Sequence, residues 1–194
     1  MKKRILSILL TLSMVLTIAP AAFAAETPDE NAITDADTLI AAIQAADDGA
    51  TVEIPAGNFS IGNLTIAKAV SLSGEGADET TLTGSIMYEA NSSAAEDGAA
   101  ITVRGITLEP SGNQNHQGLC WNNHGTLSGH DLNVEGCIFN GWEYAIGVNS
   151  GAAGNTLNVS DTVFTNTFCA MAVKIGNTVF TKDVDTTGSD YAIQ

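Results

Sequence analysis

One pair of carboxylates in this sequence has the type and spacing for acid–base chemistry. Asp161 and Asp183 take equivalent positions in two segments that match at an offset of 22 residues. If those segments stack, the two carboxyl groups lie in one column, where one can hold a proton that the other lacks. That is the arrangement needed to cleave a sugar bond. No constellation joins either acid to a general base and its partner, so the sequence predicts no catalytic residue.

Three histidines are the candidates for a metal site. His116 and His124 flank an apolar run, and His130 begins the next run. Three imidazoles can bind a transition metal. His116 and His124 stand among Asn and Gly, as solvated loop residues do, and the DxDxDG calcium loop is absent. We therefore predict neither a metal nor another cofactor.

Aromatic residues offer a different chemistry, a platform for a neutral glycan. Trp121, Trp142 and Tyr144 are close in sequence. The repeat described below aligns Trp121 with Gly147 and Tyr144 with Cys169, so the three rings do not share one column. This favours packing in the core or on the surface over a platform, and leaves the platform as an alternative.

The cysteines, three in number, each lie in an apolar run. They are Cys120, Cys137 and Cys169. An odd number leaves at least one thiol unpaired, and none of them has the close spacing of zinc ligands. We expect all three to be small buried hydrophobic residues.

Residues 1–24 are predicted to be a signal peptide. A basic start, Lys2 to Arg4, precedes an apolar core and the cleavage pattern Ala22-Phe23-Ala24. Removing it changes the formal charge from −15 to −18, because three of the seven basic residues are lost. A chain this acidic repels nucleic acid and anionic lipid, and repels a polyanionic sugar unless a cation bridges them. No second apolar stretch of that length follows, so we expect export, with no membrane span after signal removal.

The elements that would position these groups begin with an acidic lead-in at 25–34 and a helix at 35–49. Leu39 and Ile43 recur there at helical spacing. From residue 50 to 194 the pattern changes to short β runs separated by Gly and Asn, too close together for βαβ crossovers. The polar stretch from Ser85 to Ala99 reads as an excursion. The chain stops within a repeat, and this indicates truncation at the C-terminus.

A repeat determines how these runs are arranged. Segments recur at offsets of 31, 26, 25 and 22 residues, which is typical of a stacked solenoid. The aligned pairs are Val103/Val134, Leu108/Phe139, Gly118/Tyr144, Asn123/Asn149, Leu132/Leu157, Phe139/Phe164, Leu157/Val179 and Cys169/Tyr191. Aliphatic residues should face inward and the intervening residues outward. One outward column is predicted to contain Arg104, Glu135, Ser160 and Lys182, with Arg104 and Glu135 side by side.

These motifs resemble a known family. The helix followed by Asp48–Phe59, Leu72–Gly76 and Thr80–Leu82 is similar to the N-terminal part of right-handed parallel β-helix proteins of the pectate-lyase-like superfamily. The resemblance implies an all-β, right-handed parallel β-helix whose N-terminal helix caps the first coil. It implies no particular activity, since the fold carries lyases, hydrolases, adhesins and inert repeats.

The catalytic motifs of the family are not reproduced. Polygalacturonase-like members carry Asn-Thr-Asp, a double Asp, Gly-His-Gly and Arg-Ile-Lys, against which this chain offers Ser128–Asp131 and Val173–Ile175. We therefore expect a secreted or cell-surface segment with a structural or binding role toward a polysaccharide or another surface protein. The alternative is the N-terminal part of a polysaccharide lyase or glycoside hydrolase. Any function should reside in the loops 109–117 and 150–155 or in the outward columns.

Overall fold

The structure is a computed structural model that describes residues 32–89, 100–112, 117–123, 131–150, 156–173, 179–185 and 191–193. The predicted signal peptide and most of the acidic lead-in lie outside these residues. Residues Asn31–Gln194 belong to one compact unit. In the described part, no helix has the length and apolar character needed to cross a membrane.

The helix α1 spans Ala36–Ala45, inside the predicted range of 35–49. Asp35 is its N-cap: the Asp35 carboxylate accepts the Thr38 N–H at 2.8 Å, and the Asp35 N–H donates to the Thr38 hydroxyl at 3.1 Å. The bond from the Thr38 backbone lowers the pKa of Asp35 by stabilising its ionised form. The helix ends at Ala45. Four residues later the chain has joined the coils, where the Gly49 N–H donates to the Ala69 carbonyl at 2.9 Å.

The helix covers the first coil with an apolar face. Leu39 and Ile43 are buried in the core that the strands enclose. Two polar contacts hold the helix in place: Gln44 Nε2 donates to the Thr65 carbonyl at 2.8 Å, and Lys68 Nζ donates to the Ala46 carbonyl at 2.6 Å. The lysine therefore satisfies a carbonyl at the negative end of the helix dipole.

In the described residues fourteen strands follow the helix, and each hydrogen-bonded pair of them is parallel. They are β1 (Thr51–Ile54), β2 (Gly57–Ile66), β3 (Ser71–Gly74), β4 (Thr80–Tyr88), β5 (Ile101–Arg104), β6 (Thr107–Glu109), β7 (Gln117–Asn123), β8 (Asp131–Glu135), β9 (Ile138–Asn140), β10 (Tyr144–Ser150), β11 (Thr156–Thr165), β12 (Cys169–Val173), β13 (Val179–Asp185) and β14 (Tyr191–Ile193). Several are longer than the short runs that the sequence predicts, since β2, β4 and β11 have 9 to 10 residues. In particular, β4 continues to Tyr88, so the segment from Ser85 to Tyr88 is strand and not the predicted excursion.

The pairing resolves into three parallel ladders, each of which receives one segment from every turn of the chain. Ladder 1 contains β1, β3, β5, β8 and the first halves of β11 and β13. Ladder 2 contains the first halves of β2 and β4, then β6, β9 and the second halves of β11 and β13. Ladder 3 contains the second halves of β2 and β4, then β7, β10, β12 and β14. The chain is thus a parallel β-helix of six coils with an N-terminal helix, and the predicted fold class is confirmed.

Apolar side chains form inward columns on each ladder. Four of these columns are Val52–Leu72–Val103–Val134–Val159, Ile101–Leu132–Leu157, Phe59–Leu82–Leu108–Phe139–Phe164 and Leu64–Ile86–Leu119–Ile146–Met171. All of these residues are buried and belong to a single core. Phe139 and Phe164 stack with ring centroids 5.3 Å apart. The alternation that predicted aliphatic residues inside is confirmed along the repeat.

Two predicted registers are wrong by one residue. Leu157 pairs with Phe180 instead of Val179, because the β11–β13 ladder shifts between Val159 and Thr162. As a result Lys182 pairs with Val159 and leaves the predicted column of Arg104.

The offset between β7 and β10 is the second error. Tyr144 pairs with Gln117 instead of Gly118, and Asn149 pairs with Asn122 instead of Asn123. Likewise Trp121 pairs with Val148 and not with Gly147. The other aligned pairs of described residues, including Cys169 with Tyr191, are confirmed.

Candidate functional site

The candidate carboxylate pair does not form the predicted one-to-one column. Asp161 is exposed and has a left-handed backbone, with φ 49°. It lies at the register shift, where Ser160 and Asp161 together face Asp183 across the ladder. The side chain of Asp183 is outside the described part of the chain. Asp161 is therefore placed at a corner between ladder 1 and ladder 2, a position whose backbone conformation itself favours Asp, Asn or Gly.

The candidate metal ligands His116, His124 and His130 all lie outside the described residues. Among the residues that are described, no group of three or more His, Cys, Asp or Glu side chains could hold a metal ion.

Two of the three aromatic candidates are core residues. Trp121 and Trp142 are buried, and Trp142 Nε1 donates to the Leu108 carbonyl at 2.8 Å. Tyr144 is half-buried and meets Phe168 edge to face, with ring centroids 6.4 Å apart. The predicted core role of the tryptophans is confirmed, and a platform containing them is excluded.

The three cysteines are buried, as predicted. Cys137 packs under the corner between ladders 1 and 2, where its thiol reaches the carbonyls of Val103 and Glu135 at 3.5 Å each. Burial raises the pKa of the Cys137 thiol to about 11. A thiol that stays protonated in this way is not a nucleophile.

The outward face of ladder 1 holds a polar depression of about 260 Å³. It is lined by hydroxyl-bearing and charged side chains, together with Leu72. We call it the ladder 1 depression: Thr51, Glu53, Ser71, Leu72, Ser73, Thr102, Arg104 and Glu135. Its polar members come from strands β1, β3, β5 and β8, because outward positions of consecutive coils stack about 4.8 Å apart.

A charged column runs through this depression. In coil order it contains Glu53, Ser73, Arg104 and Glu135. Arg104 Nε donates to the Ser73 hydroxyl at 3.1 Å, and Arg104 Nη2 lies 3.9 Å from the Glu53 carboxylate. The predicted neighbourhood of Arg104 and Glu135 is confirmed by their pairing in adjacent strands.

The neighbouring outward column, Thr102–Asn133–Asn158, forms side-chain hydrogen bonds between its own members. Asn158 Nδ2 donates to Asn133 Oδ1 at 2.8 Å, and Asn133 Nδ2 reaches the Thr102 hydroxyl at 3.4 Å. Identical amides stacked on successive coils in this way use their donors and acceptors on each other. The polar groups left for a ligand are therefore concentrated at the charged end of the ladder.

Sequence reasoning found Arg104 and Glu135 but missed Glu53 and Ser73. A signal was available: Thr51-Val52-Glu53, Ser71-Leu72-Ser73 and Thr102-Val103-Arg104 share one alternation of outward, inward and outward residues. The offsets between these three segments differ, so the single repeat length that reveals coils 4 and 5 does not reveal this site.

A second polar network lies on ladder 2. Asn140 Nδ2 donates to Glu109 Oε1 at 2.9 Å, and Asn140 Oδ1 accepts from the Thr165 hydroxyl at 3.3 Å and from Asn166 Nδ2 at 2.9 Å. These contacts connect three coils through side chains alone. Since they bond mainly to one another, the network reads as a stabilising feature of the ladder.

In comparisons with models of known protein families, with curated proteins and with solved structures, no match to this chain was found.

Proposed function

We propose that this chain is an exported, cell-surface or extracellular polysaccharide-binding β-helix of the pectate-lyase-like type, and that the ladder 1 depression holds the ligand. The observation that carries the proposal is the grouping of Glu53, Ser73, Arg104 and Glu135 in one outward depression. The signal peptide predicted at 1–24 supports the location outside the cell.

The shape and chemistry of the depression suit a chain of sugars. It follows four consecutive coils, so an extended glycan lying across the strands would meet a new polar side chain about every 4.8 Å. The hydroxyls of the exposed Thr51 and the half-buried Thr102 can donate and accept hydrogen bonds, which matches the hydroxyl groups of a sugar, whereas Ser71 and Ser73 are buried. The charged groups would add stronger, oriented bonds.

Arg104 is the side chain on which this binding should depend most. The Ser73 hydroxyl and the Glu53 carboxylate hold its guanidinium across the depression while 55% of the side chain stays exposed to solvent. A guanidinium held in place loses less conformational freedom when it binds a ligand.

The test is direct binding of purified protein to a panel of soluble polysaccharides and oligosaccharides, followed by titration calorimetry with those that bind. We expect Arg104→Ala to weaken binding about tenfold or more, which is the loss of one hydrogen bond to a charged group. The control is Asn140→Ala, a polar truncation on ladder 2, which should bind as the parent does. Failure to bind any polysaccharide, or equal losses in both variants, would contradict the proposal.

The same incubations, analysed for shortened products with and without calcium, test the alternative that the chain is part of a lyase or hydrolase. Release of oligosaccharides would favour that alternative.

A further inference from the structure

The direction in which Arg104 points divides the ladder 1 depression into two unlike halves. Both groups that Arg104 contacts, Ser73 and Glu53, belong to the coils that precede it. Glu135 lies on the other side of Arg104, on the coil that follows. The guanidinium is thus engaged toward one end of the depression, and the carboxylate stands at the other end.

Glu135 is the acid that remains for a ligand. It is exposed, and its backbone carbonyl accepts the Gly105 N–H at 3.0 Å, which fixes the strand beneath it. Among the described side chains of this depression, the one ion pair joins Arg104 to Glu53. A carboxylate in this position can accept charge-assisted hydrogen bonds from a cation.

The charge of the surroundings also selects a cation. The depression has two carboxylates and one guanidinium, and the whole chain carries a formal charge of −15. Such a field concentrates cations and repels anions before any contact is made. An acidic polysaccharide would compete for Arg104 with Glu53, whose carboxylate lies 3.9 Å from the guanidinium, and would be repelled by both Glu53 and Glu135.

We propose that the ligand is an amine-bearing polysaccharide, whose ammonium group binds Glu135 while hydroxyl groups of neighbouring sugars bond to the exposed part of the Arg104 guanidinium. This proposal rests on the proposed function and specifies its ligand class. The glycan lies in the depression along the coil axis, with a cationic sugar at coil 4 and hydroxyl contacts at coil 3.

The experiment compares three oligosaccharides of equal length by titration calorimetry at low salt: a β-linked glucosamine oligomer, its fully N-acetylated form and an oligogalacturonate. At a pH where the amine is protonated, we expect the glucosamine oligomer to bind about tenfold or more tightly than the N-acetylated form. Glu135→Gln should bring the two affinities together by weakening only the amine-bearing ligand. Glu109→Gln is the matched control on ladder 2 and should keep the preference.

The outcomes separate this inference from the proposed function. If the N-acetylated oligomer binds as well as the amine, or the oligogalacturonate binds more tightly, the inference is overturned while polysaccharide binding stands. If a lysine peptide of equal charge binds as tightly as the glucosamine oligomer, charge alone is recognised and the glycan class is wrong. If none of the three oligosaccharides binds while another polysaccharide of the panel does, the inference also falls; if no polysaccharide binds, both proposals fall. Thermal unfolding of Glu135→Gln should match the parent within the error expected for an exposed residue.

Discussion

Coils 4 and 5 are two copies of one segment, and they differ mainly where the chain turns a corner. Coil 4 comprises β8, β9 and β10, and coil 5 comprises β11 and β12. Their ladders pair residue for residue, with Leu132 on Leu157 and Phe139 on Phe164. At the corners, coil 4 has two glycines and coil 5 has an acid and an amide. The equivalent pairs are Gly136/Asp161 and Gly141/Asn166.

The backbone explains this difference. Gly136 has φ 57° and Asp161 has φ 49°, while Gly141 has φ 84° and Asn166 has φ 52°. All four are left-handed, a conformation that glycine adopts freely and that aspartate and asparagine tolerate better than other residues. Asp161 is thus accounted for by the geometry of the corner. An acid in a repeat is evidence of chemistry only after the backbone it sits on has been considered.

A second difference between the coils at the same corner is explained by hydrogen bonding. Cys137 in coil 4 and Thr162 in coil 5 are equivalent, and each reaches the carbonyl two residues before it: Cys137 to Glu135 at 3.5 Å and Thr162 to Ser160 at 2.8 Å. Each also reaches a carbonyl of the preceding coil at 3.5 Å. The corner requires a small side chain with a polar hydrogen, and both residues supply it.

If coils 4 and 5 share one packed core, truncating the stacked pair Phe139 and Phe164 should give the largest loss of stability. Phe139→Ala and Phe164→Ala should each lower the free energy of unfolding by about 3–5 kcal/mol, because each leaves a cavity in a closely packed column. Denaturant unfolding measures both. The control is Phe168→Ala, a ring that is 42% exposed, which should lose less. A loss in Phe139→Ala no greater than in the control would show that the coils do not share a packed core.

The Cys137/Thr162 position should make coil 4 sensitive to alkaline pH, because the thiol of Cys137 ionises in this range and the hydroxyl of Thr162 does not. The thiol ionises with a pKa near 9.0 in the unfolded chain, but burial raises the pKa of folded Cys137 to about 11. The unfolded state therefore releases its proton first, and the free energy of unfolding falls as pH rises from 9.0 toward 11, by up to about 3 kcal/mol. In Cys137→Thr this contribution is absent, so the difference between parent and variant in unfolding curves at pH 8 to 11 isolates it. Parallel pH profiles would contradict a buried thiol.

Removing the Thr162 hydroxyl from the corner should lower the free energy of unfolding by a smaller amount. Thr162→Val leaves the Cys137 N–H without the hydroxyl that it reaches at 3.4 Å, and we expect a loss of about 2 kcal/mol. Thr162→Cys keeps a small donor and should lose clearly less. Equal losses in these two variants, measured by thermal unfolding, would indicate that shape alone governs the position.

The left-handed corner itself should give the smallest effect. Asp161→Ala should destabilise by about 1 kcal/mol, because alanine is strained at φ 49°. Asp161→Gly should be neutral or slightly stabilising, and Gly136→Asp should be tolerated better than Gly136→Ala. Calorimetric melting temperatures of the four proteins check the order. If Asp161→Gly is the most destabilised, the carboxylate has a role beyond the corner.

What the sequence could predict is what repeats at constant spacing. The inward columns through Leu132 and Phe139 are predicted because apolar residues recur at one offset in consecutive coils. Trp121 and Lys182 were misplaced by one residue, since the offset changes there and the alternation of a strand gives no information on where it restarts. The strand at Ser85–Tyr88 is not evident from the sequence because the outward residue between the inward Ile86 and Tyr88 is the apolar Met87, which obscures the alternation.

The charged column was predicted only in part for a related reason. Arg104 and Glu135 are separated by the same offset as the apolar pair Val103 and Val134, so the repeat that aligns the valines also predicts that Arg104 and Glu135 are neighbours. Glu53 and Ser73 come from coils of other lengths, and their place beside Arg104 depends on side-chain contacts that no spacing reveals. A site built across coils of unequal length is visible only once the coils are stacked.

The one-to-one pairing of coils 4 and 5 bears on how such a protein changes over evolutionary time. Since Val103 pairs with Val134 and Val134 with Val159, loss of the 25 residues between Leu132 and Leu157 would bring Val159 directly onto Val103 with every inward side chain still inside. A duplication of the same length would be accommodated equally well. Gene rearrangements that add or remove whole coils therefore preserve the fold. Insertion or deletion of a single residue within a strand, by contrast, moves its inward side chains to the outward face.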